Sequence, residues 1–222
     1  MTPPDLPRNA LAAPHEAVMA QGAVQAVCVG LAKPVNLGGR RLTSAIGKRT
    51  VDGPVAVYPL GLTGDEQADW SVHGGLQRAV YAYPAEHIPF WLAQRRLHGV
   101  PVQEGADSLA GDPALPPGCM GENLRITGLL EEQAWVGDTL HFIGSDCVLR
   151  ITAPREPCDK FCAVMGFAEA ARVMVREARC GFYLAVQSPG QLAAGMRFVV
   201  RPGSRGLSVA EAIRAKWAKH RL

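Results

Sequence analysis

No stretch of the 222-residue chain approaches 18 uncharged apolar residues, so no segment is expected to cross a membrane as a helix. Residues 1–22 lack a basic start followed by a long apolar run, and no export signal is expected. The location this implies is the reducing cytoplasm. There the six cysteines, at positions 28, 119, 147, 158, 162 and 180, remain thiols, most of them as small buried hydrophobes. None of them forms a C-x-x-C pair, so neither a zinc ribbon nor a thioredoxin-type redox motif is indicated. A G-x-G-x-x-G turn after a strand is missing, as is β-α-β alternation, so a dinucleotide-binding fold is not supported. Charge of one sign is also scarce. The net charge is +3, of which residues 201–222 carry +5, leaving −2 on everything before them. The main body therefore offers no electrostatic footprint for a nucleic-acid polymer, and the basic tail reads as a solvated helix end rather than a nucleic-acid or membrane contact.

What the chain does have is 48% apolar and 19% charged residues over a length that suits one domain, or one domain plus a small appendage. A chain this long buries about 70% of its unfolded surface and needs no disulfide or metal to hold it. Residues 1–21, with four prolines, read as a loosely held N-terminal arm. Strand signals then recur at 22–30, on both sides of the Asp52-Gly53-Pro54 turn, and at 79–83, 122–127, 134–136, 139–143, 147–152, 182–187 and 196–201. Helical spacing covers 84–97 and 167–179, the latter with Val173 and Met174 inward. Residues 101–121 hold four prolines and four glycines and read as a long loop. Many short strands with few helices predict a mainly β fold, a barrel or sandwich with peripheral helices. The tail opens on Ser208-Val-Ala-Glu211, a capping box, and Val209, Ile213 and Trp217 follow on one apolar face. That stripe must be buried, either against its own domain, which is favoured, or across a homodimer.

Chemistry is concentrated in a few clusters. His73-Gly74-Gly75, followed by Arg78, offers backbone N–H donors backed by a cation, a pattern suited to an anion, although glycines also serve simply as turns. Pro154-Arg155-Glu156-Pro157-Cys158 places a cysteine directly after an arginine held between two prolines. A nearby guanidinium favours thiolate over thiol, and a positioned thiolate suits a soft metal or an electrophilic substrate; a structural cysteine at a strand end is the equal alternative.

Taken in order, Ser44-Ala-Ile-x-Lys48, Leu60-Gly-Leu-x-Gly-Asp65, His73-Gly-Gly-x-x-Arg78-Ala79, Tyr83-x-x-Glu86-His87, Gly121-Glu122-Asn123-Leu124, Gly137-Asp138 and Pro154-Arg-x-Pro-Cys158 resemble the MOSC domain family, and within it the YiiM-like group. The likeness runs from about residue 22 to 203, with 204–222 as a helix standing where longer relatives carry a three-helix extension. The resemblance implies a MOSC-type β-barrel that binds the molybdenum cofactor, a molybdopterin, with Cys158 as the protein's ligand to the metal. It further implies an oxidoreductase, with a detoxifying role, that reduces N-hydroxylated compounds, including N-hydroxylated purine base analogues. Electrons would come from a separate flavin or iron–sulfur reductase. A cofactor carrier and a persulfide carrier on Cys158 are the alternatives; no pyridoxal-binding module accompanies the latter.

A pterin phosphate needs cations and N–H donors. Lys48, Arg78, Arg155 and Lys160 are the candidate cations, with Gly74 and Gly75 as backbone donors; Arg155 has the alternative task of orienting the cysteine loop. From the same motifs Glu122 and Asn123 are assigned to the cofactor, and Asn123 can both donate and accept toward a pterin edge or an oxo group. His73, with Cys158 and Asn123, completes the expected catalytic set. Asp65 and Asp138, each following a glycine, read as turn aspartates; Cys162 reads as a second buried thiol, and Trp70 and Trp91 as packing.

Overall fold

The computed structural model describes residues 20–37, 40–68, 74–101 and 115–218. Thirteen strands and four α-helices lie among them. The strands are β1 (Ala20–Val29), β2 (Lys33–Leu37), β3 (Arg40–Ser44), β4 (Arg49–Thr50), β5 (Val55–Tyr58), β6 (Gly61–Leu62) and β7 (Val80–Pro84) in the first half. In the second half come β8 (Leu124–Thr127), β9 (Thr139–Phe142), β10 (Val148–Pro154), β11 (Phe182–Ser188), β12 (Gly190–Leu192) and β13 (Arg197–Arg201). The helices are α1 (Ile88–Leu97), α2 (Asp159–Met165), α3 (Ala170–Glu177) and α4 (Val209–Ala218).

Seven strands run in the order β13-β9-β10-β11-β7-β8-β1, and β1 pairs back onto β13, closing the barrel. A ring of seven cannot be antiparallel throughout, because the directions would not match at closure. The one parallel pair is β7–β8, joined by the long crossover through α1 that a parallel pair requires. The remaining strands form a β12-β5-β6 sheet and a β2–β3 hairpin, with β4 on the edge of β1. Inside the barrel Leu124, Ile126, Leu140, Leu149, Ile151, Leu184 and Phe198 are all fully buried, as strands with one face on a closed core require. A closed barrel leaves no edge among these seven strands to cap.

Most strands fall where the sequence pattern put them. Two differences are instructive. Residues 134–136 form a turn with only an isolated bridge from Trp135 to Ser208, because the backbone there serves α4: Val209 N–H donates to Ala134 O at 2.7 Å. The β2–β3 hairpin, α2 and β12 carry no strong period and emerge only in three dimensions. Helix α4 opens on the expected capping box, with Ser208 N–H donating to Glu211 Oε2 at 2.8 Å and Glu211 N–H to Ser208 Oγ at 3.2 Å. Val209, Ala210 and Ile213 are buried and Trp217 is half-buried, against β10 and α3 of the same chain. At its far end Lys216 Nζ reaches Glu156 Oε1 at 2.6 Å, so the helix also touches the cysteine loop.

Trp91 is fully buried and meets Phe161 of α2 edge-on, with centroids 5.2 Å apart. It packs α1 against α2, as expected. Residues 1–19, His73, Trp70 and residues 102–114 of the long loop lie outside the described residues.

Candidate functional site

Register gathers the site. Val27 faces Leu124, Leu124 faces Ala82, Ala82 faces Phe182, and Phe182 faces Pro154, so five strands share one level of the barrel. The residues flanking that level are Cys28, Asn123, Tyr81, Tyr183 and Arg155. Above it opens a cavity lined by Tyr81, Asn123, Arg155 and Tyr183 together with residues 44–46, Lys48, residues 65–68, Arg78, Cys158 and Lys160. Four of the described lining residues are cations and two are carboxylates, an excess of two formal positive charges.

Cys158 is half-buried in extended backbone immediately before α2. Its Sγ lies 3.5 Å from an amino group of Arg155. The Arg155 guanidinium is only 4% exposed. Its other contacts are Met174 Sδ at 3.8 Å and the faces of Phe161 and Tyr81, with centroids at 5.2 and 5.8 Å. Among the described residues no carboxylate pairs with it. A cation taken out of water without a counter-charge is costly, so this arrangement calls for negative charge at the sulfur or on something beside it. The other five thiols sit differently. Burial pushes Cys28, Cys119 and Cys147 up to about 12, with the Glu122 carboxylate adding to the effect at the first two. Burial raises Cys162 and Cys180 as well.

The opposing charges meet at Lys48. Its Nζ forms an ion pair with Asp65 Oδ1, and Gly30 N–H donates to the same oxygen at 2.9 Å. Asp65 Oδ2 accepts from Asn123 Nδ2 at 2.8 Å. The Lys48 backbone is held in turn by Gly118, whose carbonyl accepts Lys48 N–H at 2.9 Å. A side chain on Gly118 would place its Cβ 2.4 Å from Lys48 O, at a φ of +88°, so only glycine fits there.

Several expected site residues have other tasks. Asn123 lines the cavity, but its Oδ1 accepts Tyr81 N–H at 3.1 Å and its Nδ2 donates to Cys28 O and to Asp65. Its polar atoms therefore join three strands' ends rather than standing free for a pterin edge. Glu122 is fully buried: its oxygens accept Gly118 N–H at 2.8 Å and Met120 N–H at 3.1 Å and pair with Arg125. This corrects its assignment as a cofactor contact, because it folds the 118–122 loop behind the cavity wall. Gly75 N–H donates to Gln67 Oε1 at 2.9 Å, and its φ of +85° starts a short 3₁₀ turn at Leu76–Arg78, so the glycine is there to shape the turn and its N–H is already used. Neither Gly74 nor Gly75 is on the cavity wall.

Arg78, Arg155, Cys158, Lys48 and Lys160 do line one cavity. Arg78 lies over the Tyr183 ring at 5.6 Å, and Lys160 Nζ donates to Thr43 O at 3.3 Å. The residues that sequence reasoning missed are Tyr81 and Tyr183, which form an aromatic wall, and Asp65, which reads as an ordinary turn residue after glycine. Nothing local in the sequence distinguishes Asp65 from Asp138. The latter is fully buried and ion-paired with Arg205 away from the cavity.

The profile of the MOSC domain matches residues 69–199. The chain belongs to the MOSC domain family. Protein YiiM of Escherichia coli (strain K12) is 32% identical over 174 residues, which cover 78% of this chain and 71% of that one. A protein named "Reductase" from Gibberella moniliformis is 33% identical over 88% of this chain, but the match spans only a third of that longer protein. The crystal structure of YiiM from Geobacillus stearothermophilus superposes with a TM-score of 0.65 at 24% identity, over 90% of this chain and 86% of that one. This MOSC chain thus shares its barrel with the YiiM structure. Among its described residues no helix is long and apolar enough to cross a membrane.

Proposed function

We propose that this MOSC protein binds the molybdenum cofactor and reduces N-hydroxylated compounds, N-hydroxylated purine base analogues among them, with electrons from a separate flavin or iron–sulfur reductase. The observation that carries the reading is the buried Arg155, with no carboxylate partner among the described residues and set 3.5 Å from Cys158 Sγ in a cavity whose described wall has more cations than carboxylates. A thiolate-bound metal on an anionic pterin phosphate meets both demands at once: a soft sulfur ligand and negative charge for the cations. The similarity to a protein named as a reductase supports the redox class.

Within this reading Cys158 is the ligand to the metal, and Arg155 fixes the sulfur and offsets its charge. Arg78 and Lys160 are the cations for the phosphate, and Tyr81 and Tyr183, tilted 47° to each other, make one side of the cavity aromatic. The cofactor, when bound, supplies two-electron chemistry at the metal. The net conversion takes an N–OH group, two electrons and two protons to N–H and water. The protein's part is to orient the N–O bond, to exclude bulk water with the aromatic wall, and to hold the fixed charges in place.

The test is turnover of an N-hydroxylated base by cofactor-loaded protein with reduced viologen as donor, with the amine product measured. Formation of the amine that depends on Cys158 supports the reading. Retention of pterin without turnover points to a cofactor carrier, and sulfane sulfur on Cys158 points to a persulfide carrier.

A further inference from the structure

Asp65 accepts three hydrogen bonds from three different segments: the Lys48 ammonium, Gly30 N–H at 2.9 Å and Asn123 Nδ2 at 2.8 Å. Both members of the Lys48–Asp65 pair line the cavity, yet their side chains are only 6% and 4% exposed. A buried Lys–Asp pair contributes little more to stability than an apolar pair of the same shape, because desolvation offsets the attraction. A turn aspartate would need none of this. Building the pair into a cavity wall points to a task for the ammonium at that spot.

The pair is neutral as a unit. The other charges on the wall are Arg78, Arg155, Lys160 and Glu66, and Glu66 Oε2 is tied to Ala32 N–H at 2.8 Å. Among the described lining residues the remaining formal charges are then those of the two arginines, Lys160 and Glu66. Lys48 presents hydrogen-bond donors without net charge. We infer that Asp65 is a specificity-determining positioning residue. It fixes Lys48 as a donor for a neutral acceptor on the ligand, such as a carbonyl, ring nitrogen or N–OH oxygen, and it prevents Lys48 from acting as a second anion site. The inference rests on the reading of this cavity as the cofactor and substrate site, and it sets which end of an amphoteric ligand enters where.

The experiment is a double-mutant cycle on the full chain purified without cofactor, using Asp65→Asn, Lys48→Met and the double variant. Inorganic phosphate is the probe, its affinity read by calorimetry beside the melting temperature. Asp65→Asn leaves the ammonium uncompensated, and phosphate is expected to bind about tenfold more tightly than to wild type, the effect of one more unit charge at this depth. Asp65→Asn should also melt lower, and adding Lys48→Met should remove both changes. Where Asp65→Asn does not fold, Asp65→Ser, smaller and equally uncharged, takes its place in the cycle with the same expected gain in phosphate affinity. Additive effects in the cycle, unchanged or undetectable phosphate binding by Asp65→Asn, or misfolding of both Asp65 variants with Lys48→Met intact would each overturn it. Because the probe is phosphate and the protein is cofactor-free, this outcome is separate from whether the loaded protein reduces N–OH groups.

Discussion

Replacing Arg155 by Met separates a site cation from a structural one, because the two roles predict opposite changes in stability. Met keeps most of the side chain's length and apolar bulk beside Met174, Phe161 and Tyr81 while removing the charge. In the cofactor-free protein the guanidinium is 4% exposed with no carboxylate partner among the described residues, so its burial is uncompensated except by sulfur and aromatic faces. Replacing buried charges by apolar residues of similar volume is neutral or stabilising by roughly 1–4 kcal/mol. The lost contacts to the rings return about 1 kcal/mol of that. The net expectation is a gain of roughly 0–3 kcal/mol, and at about 2–4 °C per kcal/mol for a chain of this size the cofactor-free variant should melt up to about 10 °C higher. Cofactor retention should move the other way. A charge-assisted hydrogen bond contributes about 1.5–3 kcal/mol, or roughly a 10- to 150-fold loss in affinity when removed. Differential scanning calorimetry of the cofactor-free forms, with pterin retained through gel filtration of the loaded forms, measures both. A variant that melts well below wild type and keeps its pterin would refute the reasoning and make Arg155 part of the scaffold.

Further expectations concern the thiols and the C-terminal helix. Cys158→Ser should abolish metal retention and turnover with a melting temperature within a few degrees of wild type, since the sulfur is half-buried and serine is a harder, far less acidic ligand. Cys28, Cys119 and Cys147 are held as thiols up to about pH 12 when folded, against an unfolded value near 9. Between those values the unfolded chain releases protons that the folded chain retains, so stability should be full below about pH 9 and decline from there toward pH 12; chemical denaturation across that window checks the sign. Ile213→Ala removes a fully buried side chain from the α4 interface and should cost about 2–5 kcal/mol at unchanged mass in solution, as read by urea denaturation and light scattering. A fall in mass instead would place that face in a dimer.

Much of the barrel was legible because its strands are short, β-branched and punctuated by turns. β7 and β11, buried along most of their length, could be found from composition and flanking glycine or proline. The capping box at Ser208 was visible because the pattern is local: three residues separate donor from acceptor. The β2–β3 hairpin and α2 were not, because no single period dominates their sequences. For the site, the cysteine loop was readable from its two prolines and the arginine between them. The division of labour among the polar residues was not. Asn123, Glu122 and Asp65 are all plausible ligand contacts by residue type. Only the register that brings Gly30, Lys48, Tyr81 and Asn123 together shows which of their atoms are already bonded. Such contacts span 17 to 58 residues of sequence, beyond the reach of spacing arguments.

The molybdenum and pterin content of the chain purified from a cofactor-competent host, beside its Cys158→Ser variant, tests most directly whether Cys158 and the cations around it hold an anionic molybdenum cofactor. Close to one metal and one pterin per wild-type chain are expected, with loss of the metal from the variant while its fold is retained. Wild-type protein free of both metal and pterin under those conditions, or a variant that keeps as much molybdenum as wild type, would contradict it.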